Sequence, residues 1–294
     1  MSATPPQKTL VILAAALGWN LIAKHKPATK IRFRPVAPGP LSLTCPAQAT
    51  LRTALPPSRH GVVASGWFHR EFARPYFWEQ SAALVQGRRI WEDARAAGQS
   101  VGLAFWQQSL GEPLDLVLSP KPIHRHHGGI VMDCYSRPEP LYADLCEAVG
   151  RNFDLFHYWG PLARTRVGRW ISEATLRLLA RPDAPDHLFV YLPSLDYDLQ
   201  RHGPDSPQAA AALAETLSQI EPLLAAAEAQ GREWLLTGDY AIEPVAPGDG
   251  SVFPNRLLRA AGFFHTRETA HMLYPDFFTS RAFAIVDHQL AHVH

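Results

Sequence analysis

Short apolar runs alternate along this chain with longer stretches in which apolar residues recur every three or four positions. The first kind predicts strands over residues 10–15, 101–106, 114–118, 188–192, 234–236 and 282–286. The second predicts a helix starting near Pro46 and others over 79–98 ("EQSAALVQGRRIWEDARAAG"), 138–150 ("PEPLYADLCEAVG") and 164–180 ("RTRVGRWISEATLRLLA"). The longest, over 206–231, has Ser206 placed as N-cap, Pro207 at the first helical position and Gly231 as its stop. Strands alternating with helices predict an α/β fold with a largely parallel sheet. The least regular stretch, 119–140, reads as a long loop or a small insertion.

Composition narrows the picture modestly. With 47% hydrophobic and 19% charged residues in 294, the chain is of globular type and long enough for one large domain or two ordinary ones. A formal net charge of +1 gives no argument for a nucleic-acid or anionic-membrane partner. Three cysteines, Cys45, Cys134 and Cys146, are too few for a disulfide scaffold and fit a reducing, cytoplasmic compartment. The stretch "QKTLVILAAALGWNLIAKHK" admits two readings, a secretory signal or the first buried strand turning at Gly18. The strand is the reading adopted. A different composition begins after Pro247. The apolar alternation of Ala282, Ala284 and Val286 so near the final "DHQLAHVH" predicts a chain that lacks a C-terminal portion.

Candidate chemistry gathers where strands end, because ligands of α/β sheets bind outside the carboxyl ends of strands. In "SLTCPAQAT", Pro46 at the start of a helix puts Thr44 beside its first turn, where backbone amides lack partners. A hydroxyl there can serve as a nucleophile, or simply as the cap of the helix. In "LFVYLPSLDYDLQRHGPDSP" a buried strand runs into Asp196, Asp198, Gln200, Arg201, His202 and Asp205, which offer hard oxygens and an imidazole to a divalent ion, or form a polar turn. In "EWLLTGDYAIEPV", Asp239 directly follows another apolar run. Three histidines in "IHRHHGG", His124, His126 and His127, have no carboxylate nearby in the sequence and read as an exposed loop. His288 and His292 stand four apart, a spacing that shares one face in either a helix or a strand.

Together these segments resemble the type I phosphodiesterase and nucleotide pyrophosphatase branch of the alkaline phosphatase superfamily. Thr44 and Pro46 match its nucleophile motif, and Thr53, Pro57, His60 and Gly61 match the stretch that follows, with Ala54 where glycine is usual. "LDYDLQRHGPDS" is similar to the family's aspartate-x3-histidine ligand motif, "LTGDYAI" to its strand-end aspartate–histidine, and "FPNRLLRAAGFF" to the link beyond. "TCPAQAT", "LDYDLQRHGP" and "DHQLAH" also resemble a little-characterised bacterial subgroup of that family.

The resemblance implies an alkaline-phosphatase-like sandwich, with a mixed, largely parallel sheet and helices on both faces, as a single domain over residues 1–294. It implies a hydrolase of phosphodiester or pyrophosphate bonds acting on a small phosphate ester, with Thr44 as nucleophile. It also implies one or two divalent ions, zinc first, held by Asp196 and Asp239, with His202 or Asp198 making up for missing ligands. The candidate substrate-binding residues are Gln48, Gln200, Tyr240, His288 and His292. Departures run through the same motifs. Leu17 stands where an aspartate is usual, Gln200 and Tyr240 where histidines are usual, and Ala47 where an asparagine is usual. These substitutions raise an alternative, a phosphodiesterase-like binding or scaffold protein that has lost its metals.

Overall fold

Six strands form the central sheet: β1 (Thr9–Ala14), β2 (Val101–Ala104), β3 (Leu116–Pro120), β4 (Cys134–Arg137), β5 (His187–Leu192) and β6 (Glu233–Gly238). In this computed structural model, which describes residues 7–39, 41–245 and 250–294, they lie in the order β6-β1-β5-β2-β3-β4. Every neighbouring pair is parallel except β3 and β4. Leu188 to Leu192 of β5 are all buried, and alternate side chains of a strand point to opposite faces, so both faces of the sheet are covered there. Leu10, Ile12 and Leu13 of β1 are fully buried as well. Each such side chain contributes about 1.5–3 kcal/mol on leaving water.

Five helices of eight or more residues share this core: α1 (Thr44–Thr53), α2 (Leu141–Val149), α3 (Arg166–Leu179), α4 (Ser194–His202) and α5 (Pro207–Ala229). The longest begins as its sequence predicts. The Ser206 hydroxyl accepts the Ala209 amide at 3.1 Å, Pro207 occupies the first turn, and the chain leaves past Gly231 at φ +65°. No helix among the described residues is long and apolar enough to cross a membrane.

One expectation changes. The continuous helix expected over 79–98 is absent; a 3₁₀ turn (Ala82–Leu84) and a short helix (Glu92–Ala96) replace it. The backbone of this stretch is claimed from elsewhere: Ala82 N–H bonds to the Leu110 carbonyl, Leu110 N–H to Gln80, Gln86 N–H to His60 and Ile90 N–H to Arg52. Gly87 breaks the pattern further at φ +91°. The stretch over 119–140 carries a hairpin pairing Ile123–His124 to Ile130–Val131 and then the edge strand β4. Its three histidines, His124, His126 and His127, are exposed.

The chain divides into two compact units, one built from residues up to Val62 with Gln80–Pro244, the other from Val63–Glu79 with the residues from Val245 on. The composition change after Pro247 falls within 246–249, outside the described residues. Among the described residues the second unit holds three antiparallel hairpins and a helix (Pro254–Ala260). Phe264, Phe283 and Ile285 form its buried centre, with Phe68, Leu258 and Phe277 against them. Its Asp287 is buried and accepts the amides of Ser65 at 2.6 Å and Gly66 at 3.3 Å, while His288 Nδ1 lies 2.7 Å from the other oxygen.

Candidate active site at the ends of three adjacent strands

The register of the sheet brings the chemistry together. Ala14 of β1 pairs with Leu192 of β5 on one side and with Gly238 of β6 on the other. The residues that follow each strand therefore emerge side by side: Ala15 to Leu17 after β1, Asp196 in the first turn of α4 after β5, and Asp239 immediately after β6. Gly238 is required here, since a Cβ on it would collide with the Leu17 carbonyl oxygen. Only a bare backbone lets the two strand ends approach this closely.

Asp239 is buried, 7% exposed. Its Oδ1 accepts the Ala16 amide at 2.9 Å and its own neighbour's amide, Tyr240 N–H, at 3.0 Å. Its Oδ2 is buried with no hydrogen-bond partner among the described residues. Burial, with the charge of Asp196 added, outweighs the backbone bonds and pushes the Asp239 carboxyl up to about 7. Asp196 sits at the positive end of α4 and accepts Gln200 Nε2 at 2.6 Å, one helical turn on.

Thr44 completes the group. α1 starts at Thr44, two residues earlier than its proline predicts; Pro46 is tolerated there because first-turn amides have no helical partner to lose. The alternative role of helix cap is not taken up, since Leu43 is the N-cap residue and no side chain caps the helix. The Thr44 hydroxyl instead lies 3.5 Å from Tyr191 Oη, and the Tyr240 phenol feels both Thr44 and Asp196 electrostatically. Burial, and then the two carboxylates, raise the Tyr240 phenol well above its ordinary value, which leaves it a neutral donor. Tyr191 is raised likewise, by burial first and Asp239 next. Sequence reading missed Tyr191; its signal is a hydroxyl one residue from the end of an otherwise apolar strand.

The remaining candidates are placed differently. Asp198 and His202 lie roughly 200° and 240° round α4 from Asp196, off the face that carries it. Asp198 faces Arg201 at 3.6 Å and His202 is exposed. Gln48, fully buried one turn after Thr44, accepts the Gln107 amide on Oε1 at 2.7 Å, which leaves only its Nε2 without a partner among the described residues. His288 and His292 belong to the second unit and do not share a strand. His288 occupies the turn between Ala284–Asp287 and Leu290–Val293 at φ +53°, while His292 lies in the returning strand opposite Ile285.

A mixed, mostly parallel sheet with a threonine-headed helix and acids at its strand ends defines an alkaline-phosphatase-like α/β fold. The model of the type I phosphodiesterase/nucleotide pyrophosphatase family matches residues 11–294, and the chain belongs to that family. Among solved structures it is similar to phosphonoacetate hydrolase from Sinorhizobium meliloti 1021 in complex with phosphonoformate, at 16% identity and TM-score 0.61, over 90% of this chain and 64% of that one. It is similar also to murine ectonucleotide pyrophosphatase/phosphodiesterase 5 in an inactive form with AMP, at 16% identity and TM-score 0.56, with the same 90% and 64% coverage. Wild-type alkaline phosphatase PafA matches at 12% identity and TM-score 0.56, over 81% of this chain and 64% of that one. The chain thus spans under two thirds of the length of these structures. No curated protein matches it in sequence.

The family resemblance implies divalent metal, and the side chains present can be tested against it. Catalytic zinc sites take three protein ligands, histidine prominent among them. Among the described residues, the strand ends near Thr44 supply two carboxylates and two neutral phenols, and no imidazole. Among the described residues no group of three or more histidine, cysteine or acidic side chains is placed to hold an ion. The position where an aspartate is usual carries Leu17, packed into the apolar core. This donor set does not fit a two-ion centre.

Proposed function

We propose that this protein is a phosphate-ester hydrolase, cleaving phosphodiester or pyrophosphate bonds of a small substrate, with Thr44 as nucleophile. One observation carries the reading: a buried threonine hydroxyl at an uncapped helix N-terminus lies 3.5 Å from the hydroxyl of Tyr191, at the end of the strand that runs on into Asp196. The amides of the first turn of α1 supply partial positive charge for a phosphoryl oxygen, and the Tyr191 hydroxyl a further donor. As Thr44 Oγ1 bonds to phosphorus, its proton passes by way of a neighbouring tyrosine hydroxyl to a strand-end carboxylate. The bond from phosphorus to the leaving oxygen breaks, and that oxygen departs as an anion or takes a proton from water. Water then hydrolyses the phosphothreonine and restores Thr44. Thr44 is 4% exposed, so neighbouring side chains must part to admit a substrate.

The test is hydrolysis of a chromogenic phosphodiester by the wild-type chain and by Thr44→Ala. Turnover in the wild type that falls on the order of a thousandfold in the variant supports the assignment. Equal rates in the two proteins would remove Thr44 from the reaction. A second reading, a protein that binds phosphate esters without turning them over, is favoured by the Gln200 amide already engaged on Asp196. Binding of a phosphodiester with no turnover in the wild type would select it.

A further inference from the structure

Gln48 stands one helical turn after Thr44 in α1, and positions four apart on a helix share a face. Side chains of a helix lean back toward its N-terminus, so the Gln48 side chain lies over the turn that carries Thr44. Gln48 is fully buried, and its Oε1 accepts the Gln107 amide at 2.7 Å. A backbone N–H can only donate, so the group facing it is the side-chain oxygen and the NH2 is fixed on the other branch. That Nε2 is buried with no partner among the described residues. A buried donor left unpaired is a standing cost to the fold, and its retention calls for a reason.

The partner that orients Gln48 is itself anchored. Gln107 has its other polar groups engaged: its carbonyl accepts Arg52 Nη2, its Nε2 donates to Tyr158 Oη at 3.2 Å, and its Oε1 accepts Gln80 Nε2 at 2.6 Å. Arg52 is fully buried and also donates Nη1 to the Gln108 carbonyl at 2.8 Å. A flipped Gln48 amide would set donor against donor at Gln107, so this network holds the NH2 in one orientation.

We infer that Gln48 Nε2 is a phosphoryl-oxygen donor of the Thr44 site, set in place by Gln107 and, behind it, by Arg52. The inference rests on the reading above, in which Thr44 attacks phosphorus. A helix end on its own attracts an anion weakly; an oriented, buried amide on the same face adds a directed bond to one oxygen. An anion admitted over Thr44 meets the first-turn amides of α1 and then this NH2. A donor already stripped of water and fixed in direction costs no reorganisation when charge builds on the phosphoryl oxygens.

Calorimetric titration of the full-length wild type with inorganic phosphate is compared with Gln48→Glu, which keeps an oxygen for the Gln107 amide and loses the donor, and with Gln48→Met, which loses both. Phosphate should bind at least about tenfold more weakly to each variant. Equal affinities in the three proteins, or a wild type that binds no phosphate, would overturn the inference and leave Nε2 to a buried water. Where neither variant folds, the wild type decides: the Gln48 side-chain amide resonances should move as phosphate saturates the protein, and unmoved resonances would refute it. Turnover is not read in either experiment. A protein that loses phosphate affinity in Gln48→Glu but hydrolyses esters equally well as Thr44→Ala would therefore reject the nucleophile and keep the donor.

Discussion

Asp239 Oδ1 accepts the Ala16 backbone amide at 2.9 Å, and this bond ties the turn after β1 to the end of β6. The same carboxyl is buried among few donors and beside Asp196, which raises it from an ordinary 3.8 to about 7.

That position makes stability depend on pH. The folded form holds the Asp239 proton more tightly than the unfolded chain does, so this contribution is fully present below about pH 4 and is lost as pH rises through about 7. The separation between 3.8 and about 7 corresponds to roughly 4 kcal/mol at the upper limit. Thermal melts of the wild type should therefore fall between pH 5 and pH 8, and Asp239→Asn should flatten that slope. An unchanged slope in the variant would place the titration elsewhere.

Gly238→Ala should destabilise the protein by about 3 kcal/mol, because the new methyl meets the Leu17 carbonyl oxygen at the junction of two central strands. Chemical denaturation measures it directly. A loss below about 0.5 kcal/mol would mean that the strand ends separate easily.

In the second unit, Asp287→Ala removes the acceptor for the Ser65 and Gly66 amides. Two buried donors left without a partner cost about 1–3 kcal/mol each. Hydrogen exchange at those two amides should accelerate in the variant, and unaltered protection would show that other acceptors take over.

Ser206→Ala should cost about 1 kcal/mol through loss of the cap on the Ala209 amide. Ser206→Thr should recover most of it. Equal melting of all three proteins would show that Pro207 alone sets the start of α5.

How far the sequence carried this picture depends on where each backbone bond is made. β5 and α5 were legible because a bounded apolar run and a Ser-Pro start contain their own signals. The helix expected over 79–98 was not, since its donors go to His60, Arg52 and Leu110, partners remote in sequence. At the site, Thr44, Asp196 and Asp239 were legible from motif and strand end. Asp198 and His202 face away from Asp196 because the segment is helical and turning by roughly 100° per residue sends them to other faces. Tyr191 was hidden because a tyrosine in an apolar strand reads as packing.

The place of β1 in the sheet governs how the protein comes into being. β1 is synthesised first, yet its two neighbours are β5 and β6, the last sheet strands to leave the ribosome. Until residue 187 has been made it has neither partner, and an apolar strand with both edges open invites pairing with the wrong chain. The nascent polypeptide therefore calls for shielding until residue 238 has emerged, and release before that point leaves the three strand ends unassembled.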